Sequence, residues 1–116
     1  MSPRHRSHSR LSDPGRAPLL FAALGDETRL ALVSKLCSGE SRSISELTRG
    51  SRLTRQAVTK HLKVLEQAGL VRCSRRGRES LFALDPEPVN EMRKYLKAVS
   101  RQWDETLGRL KAFVEK

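Results

Sequence analysis

Leu53-Thr-Arg-Gln-Ala-Val-Thr-Lys-His-Leu-Lys-Val-Leu-Glu-Gln-Ala-Gly-Leu-Val71 is the stretch on which the reading of this 116-residue chain turns. Thr54 has the side chain of an N-cap, and Ala57, Val58, Leu62 and Leu65 recur at the spacing that gathers apolar groups on one helical face. Gly69 suits the position just past a helix C-terminus. The opposite face carries Arg55, Gln56, Thr59, Lys60 and Lys63. These side chains can hydrogen-bond to phosphates and to base edges.

Upstream, Ser43-Ile-Ser-Glu46 has the spacing of a capping box and opens a short helix to about Arg49, followed by a break at Gly50, Ser51 and Arg52. Two helices joined by a tight turn, the second with a polar and basic outer face, make the sequence form of a helix-turn-helix. Before them, helical periodicity at Leu19, Leu20, Ala23 and Leu24 pauses at Gly25. It resumes behind an Asp26 cap with Leu30, Val33, Leu36 and Cys37, and ends at Ser38 and Gly39. Downstream, Leu70 to Leu84 reads as two short strands around a glycine turn, a β-hairpin whose tip carries Arg75, Arg76 and Arg78. Pro86 and Pro88 then open a helix to about Glu115, on the order of 40 Å long at about 1.5 Å per residue. Met92, Leu96, Val99, Trp103, Leu107, Leu110 and Val114 form one apolar stripe along it. Its first half is expected to pack on its own domain and its second half on a copy of itself.

The expected architecture is mainly α with a small β-hairpin wing, a winged helix-turn-helix. Residues 1–16 are expected to be a disordered basic arm, 17–85 the winged unit, and 86–116 a terminal dimerisation helix in the same globular body. Hydrophobic residues make up 37% of the chain and the longest unbroken apolar run is Leu19 to Leu24, so no segment is suited to span a bilayer. The basic amino terminus lacks the apolar stretch of an export signal. Cys37 and Cys73 fit a reducing cytoplasm and are expected to be small buried side chains rather than redox sensors.

The net charge of +10 is unevenly spread. Residues 1–16 carry +3, residues 17–41 carry −1, and residues 79–116 sum to zero, leaving +8 between Arg42 and Arg78. Charge concentrated on the helix-turn-helix and hairpin is a footprint for a polyanion, here double-stranded DNA. Arg52, Thr54 and Lys63 are the expected phosphate contacts of the helix-turn-helix, and Arg75, Arg76 and Arg78 those of the hairpin, which can lie along the backbone or reach the minor groove. Arg55, Gln56, Thr59 and Lys60 are the expected base readers, arginine pairing with guanine and glutamine with adenine. His61 reads as a packed or backbone-bonded residue. A non-specific architectural DNA-coating protein is the alternative that the same charge allows. Phosphate-binding glycine loops, nucleophile elbows and paired catalytic carboxylates are absent from the sequence, so an enzyme is not expected.

From Leu19 to Leu84 the chain resembles the ArsR-type winged helix-turn-helix repressors of bacteria and archaea. Leu24-Gly-Asp-Glu-Thr-Arg-Leu30 is similar to the family's opening motif, and Leu53 to Val71 to its recognition helix and the entry to its wing. The resemblance implies a homodimer built from the first and last helices, with two recognition helices in successive major grooves. Leu20, Leu96, Val99, Trp103, Leu107 and Leu110 are then the candidate interface residues. Trp103-Asp-Glu-Thr-Leu-Gly-Arg-Leu110 is similar to a branch often associated with START-like proteins that bind hydrophobic ligands. Many members sense metals, but Ser43 and Ser45 stand where those carry a Cys-x-Cys pair, and hydroxyls are poor ligands for soft metals. No histidine follows His61, so a last-helix Asp-His-Glu site is also incomplete, and His5 and His8 lie in the arginine-rich arm. No metal or cofactor is expected. The implied product is a cytoplasmic, nucleoid-associated repressor of its own operon, with any small-molecule effector unspecified by these residues.

Overall fold

Capping chemistry accounts for where the helices of this chain begin. In the computed structural model, which describes residues 15–115, the elements are α1 (Ala17–Leu24), α2 (Glu27–Lys35), β1 (Arg42–Ser43), α3 (Ile44–Thr48), α4 (Arg55–Gln67), β2 (Val71–Arg76), β3 (Glu79–Leu84) and α5 (Pro86–Val114). Asp26 accepts from the Arg29 amide at 3.0 Å, Thr54 from the Ala57 amide at 3.1 Å and Asp85 from the Glu87 amide at 3.0 Å. At α3 the capping box closes in both directions, the Glu46 amide donating to Ser43 Oγ at 3.1 Å and the Ser43 amide to Glu46 Oε1 at 2.9 Å. Each bond satisfies an amide that the first helical turn leaves without a partner. At the far end of α4, Gly69 takes φ +88°, and the amides of Gly69 and Leu70 donate back to the Glu66 and Leu65 carbonyls, both at 2.9 Å. This Schellman turn swings the chain directly into β2.

One core lies under α4. Val58, Leu62 and Leu65 from its inner face join Leu20 of α1, Leu32 and Leu36 of the α2 region, Leu47 of α3, Leu70 and Val71 at the entry to the wing, Phe82 of β3 and Met92 of α5. Apolar contacts thus hold the inner face of the recognition helix and leave Gln56, Lys60 and Lys63 of its outer face exposed.

The hairpin is joined by a third strand that the residue pattern does not announce. The sheet has the order β1-β3-β2, all antiparallel, with Arg42 opposite Phe82 and Ser43 opposite Leu81. Two residues carry no readable periodicity; β1 exists because β3 has a free edge, and Ser43 serves both as its last residue and as the cap of α3. The outer loop is the two residues Gly77 and Arg78 between the paired Arg76 and Glu79. Gly77 has φ +63° while Arg78, like every non-glycine among the described residues, does not have positive φ, the pattern of a II′ hairpin turn.

Four expectations are corrected by burial and bonding. Leu20 is fully buried inside the protomer, so it cannot contact a second copy; Leu19, 59% exposed, is the outward leucine of α1. The helix presents successive residues about 100° apart, and the core claims Leu20 with Ala17 and Ala23. Cys37 and Cys73 are both exposed, not buried. Cys37 follows the α2 cap, and Cys73 lies on β2, the edge strand of the sheet, which is exposed at every residue past Val71 although Phe82 opposite Cys73 on β3 is buried. Arg16, assigned above to the arm, belongs to the folded unit: its Nε and second terminal nitrogen meet both Glu91 oxygens of α5, at 2.9 and 3.0 Å. Residues 1–14 of the expected arm, with His5 and His8, lie outside the described residues. Finally, α5 packs on its own domain over a shorter length than expected. Pro88 and Met92 are buried and Tyr95 stacks at a tilt on Phe21 of α1, with ring centroids 6.1 Å apart, but Leu96 is already 53% exposed.

Asp26 makes the stability of this frame pH-dependent. The Arg29 amide first, then the charges of Arg29 and His61, hold its carboxylate below the ordinary aspartate range. A folded-state pKa below the unfolded one contributes stability above the unfolded pKa and loses it as pH falls through the folded value. Thermal unfolding is therefore expected to fall more steeply below about pH 4 in the wild type than in Asp26→Asn. Parallel acid limbs in the two proteins would show that the cap carries no charge-dependent stabilisation.

Candidate nucleic-acid interface

The outer face of α4 is fixed by its inner one. At about 100° per residue, Gln56, Thr59, Lys60 and Lys63 share an arc of about 100° roughly opposite Val58, Leu62 and Leu65. Gln56, Lys60 and Lys63 are exposed, while Thr59 is half-buried and its hydroxyl donates to the Arg55 carbonyl at 2.8 Å. Arg52 and Thr54 are exposed in the turn ahead of the helix, and Thr54, though it accepts from Ala57, keeps its hydroxyl proton for an anion at the helix N-terminus. Arg75, Arg76 and Arg78 are exposed on the wing.

Arg55 is the exception among the expected base readers. It lies outside that arc on the flank toward α3, and its guanidinium donates to Ser45 Oγ of α3. Periodicity alone sets Arg55 to one side of that arc. Its bond to Ser45 depends on the placement of α3 beside α4.

The opposite flank of α4 is braced by the Leu24–Leu30 motif. His61 Nδ1 lies 3.8 Å from Asp26 Oδ2, and Arg29 Nε donates to the Ala23 carbonyl at the end of α1 at 2.6 Å. From α2, Lys35 Nζ donates to the Leu47 carbonyl of α3 at 3.1 Å. His61 thus faces the cap of α2, a packing and polar role consistent with its sequence reading. These contacts tie the helices that carry the recognition helix to one another. Small tilts of α4 are thereby resisted at both flanks.

At the positions where metal-sensing members carry cysteines, both hydroxyls have structural partners: Ser43 caps α3 and Ser45 accepts from Arg55. Among the described residues, no group of three or more His, Cys, Asp or Glu side chains is placed to hold a metal ion, and no helix is long and apolar enough to cross a membrane.

A helix-turn-helix followed by an arginine-tipped wing, with a polar and cationic recognition face left uncovered, defines a winged helix-turn-helix DNA-binding protein. A helix-turn-helix domain family matches residues 24–74. The chain is 36% identical over 86 residues to the uncharacterized HTH-type transcriptional regulator YuzN of Bacillus subtilis strain 168, covering 69% of this chain and 94% of that one. It is 33% identical over 70 residues to the arsenical resistance operon repressor of the same organism, covering 60% of this chain and 67% of that one. The solved structure of an ArsR-like transcriptional regulator from Rhodococcus sp. RHA1 matches with a TM-score of 0.68 at 32% identity, covering 84% of this chain and 92% of that one. This chain belongs to the ArsR family of helix-turn-helix transcriptional regulators, and it is a DNA-binding transcriptional regulator.

Proposed function

We propose that the protein acts as a homodimeric repressor that binds a palindromic operator of its own operon, within the nucleoid. The observation that carries this is the face of α5 that the protomer leaves uncovered: Leu96, Trp103, Leu107 and Leu110 are all more than half exposed on one helix. Soluble monomers seldom leave so large an apolar stripe open, and a second copy of the same helix offers an isologous match. In this reading Leu19 replaces Leu20 as the contribution of α1, beside Val99, Trp103 and their neighbours on α5.

In the dimer Gln56, Thr59 and Lys60 read base edges in the major groove, while Arg52, Thr54, Lys63 and the wing arginines hold the backbone. Two such faces related by two-fold symmetry demand half-sites about one helical turn, or about 34 Å, apart. Repression follows from occupying the promoter, and this chain shares the family of a relative named as an operon repressor. In this reading the protein works by binding DNA and a second copy of itself, without chemistry on a substrate.

The test is selection of preferred duplexes from a random library, followed by footprinting and a salt titration. A two-fold symmetric footprint is expected. With about four phosphates neutralised by each protomer, log K against log salt should have a slope near −7. The selected duplex should be bound roughly a thousandfold or more above random DNA. An asymmetric footprint, or equal affinity for random DNA, would instead favour an architectural coating protein.

A further inference from the structure

Between α3, the head of α4 and the outer end of the wing lies a small open notch of about 170 Å³ lined by Ser43, Ile44, Ser45, Arg55, Arg78, Glu79 and Ser80. Two arginines line it from elements far apart in sequence, Arg55 at the first residue of α4 and Arg78 at the turn of the hairpin. Ser45 already holds Arg55 in place from the side of α3. The Glu79 carboxylate is the single acidic group of the lining, so the cations outnumber it. A larger neighbouring hollow has the reverse balance, with Arg49 and Arg76 against Glu40, Glu46 and Glu79. Charge therefore directs an anion to the smaller notch. Its volume is several times the roughly 30 Å³ that a water molecule occupies, enough to admit a tetrahedral oxyanion.

We propose that this notch seats one phosphate of the DNA backbone, held jointly by Arg55 and Arg78 with hydroxyls from Ser45 and Ser80. The proposal rests on the DNA-binding reading above and deepens it. Arg55 is then a positioning residue, not a base reader. Guanidinium forks match phosphate oxygens, and hydroxyls supply further donors to the same group. The arrangement also explains why the first residue of the recognition helix leans toward α3. One phosphate gripped from both sides locks the wing to the helix-turn-helix as the protein settles on the duplex. The depth of α4 in the groove is set at that contact.

The experiment compares wild type, Arg55→Gln, Arg78→Gln and the double variant on a duplex selected by this protein and on a random duplex, each across a range of chloride concentrations. Each single variant is expected to lose about 10- to 100-fold in affinity on both duplexes alike, as for a lost charged hydrogen bond. Each should also flatten the salt slope by about 0.9 per protomer. The double variant should flatten it no further than either single one, because both side chains serve the same phosphate. Additive flattening, of about 1.8 per protomer, would mean separate phosphates and would overturn the proposal. So would loss of preference at a single guanine position in Arg55→Gln, which would restore Arg55 as a reader. Arg55→Lys guards against misfolding: it should keep the wild-type salt slope while losing affinity. A parallel titration with inorganic phosphate at fixed ionic strength separates the two sources of the anion. Release of wild-type protein from DNA at millimolar phosphate, absent in the double variant, would make the notch a free-oxyanion site and overturn its assignment to the backbone. Should the wild type prefer no duplex, the sequence-specific reading fails, yet the slopes on random DNA still decide the notch.

Discussion

Trp103→Glu is expected to turn the protein into monomers in sedimentation equilibrium and to weaken operator binding by orders of magnitude. The indole is 59% exposed in the protomer, at the middle of the α5 stripe between Val99 and Leu107. A second copy can remove about 100 Å² of each indole from water, which at about 25 cal/mol per Å² is about 2.5 kcal/mol per copy. Isologous symmetry counts the contact twice, for about 5 kcal/mol and a 10³- to 10⁴-fold change in the dimer dissociation constant. Glutamate also places an unpaired charge in an apolar seam, which adds to the loss. Half-site binding by the monomer is then all that remains on DNA. An intact Trp103→Glu dimer would place the interface elsewhere than at this stripe.

Leu62→Ala has the other large expected effect, on the folded state itself. Leu62 is fully buried at the centre of the face that α4 turns to the core. Truncating a buried leucine leaves a cavity whose walls relax only in part, and costs about 2 to 5 kcal/mol against a total stability of about 5 to 15 kcal/mol for a domain of this kind. The melting temperature should fall by roughly 10 °C or more, measured at one fixed protein concentration because self-association shifts it. A fall of less than about 2 °C would mean that the core collapses around the gap, or that α4 is not its keystone. The effect reaches function too, since the recognition face keeps its orientation only while the opposite face is packed.

The helix borders were legible because each is written in short-range chemistry. Asp26, Ser43 and Thr54 accept from amides three residues on, and Gly69 takes the backbone angle that ends α4. Such interactions are decided within one turn of chain, and a reader of the sequence holds all the participants. The same applies to the charge of the Arg42–Arg78 window and to the apolar stripe of α5. The errors were of the opposite kind. Leu19 and Leu20 are identical in chemistry and adjacent, and only the docking of α1 on α4 and α5 decides which is buried. Cys73 sits in an alternating run that resembles a half-buried strand, yet β2 forms the edge of the sheet and is exposed at every residue past Val71.

The candidate site divides along the same line. Gln56, Lys60 and Lys63 could be assigned to the outer face from periodicity alone, because α4 is long enough for its apolar positions to fix the rotation of all the others. The bond between Arg55 and Ser45 could not, since they lie ten residues apart across the turn and meet only through the packing of α3 on α4. Arg16 and Glu91, separated by 75 residues, are a still longer case.

The sequence by itself determined the kind of protein: a capped helix-turn-helix, an arginine-tipped hairpin and a long striped helix, in the order of a winged helix-turn-helix unit. Those features are local and periodic, and they survive in a linear string. The tertiary structure alone decided which leucine of α1 faces outward, that a third strand closes the sheet, and that Arg55 bonds to Ser45 of α3. Each of these depends on contacts between segments remote in the chain, whose geometry is set by how one core fills and not by any pattern along the residues.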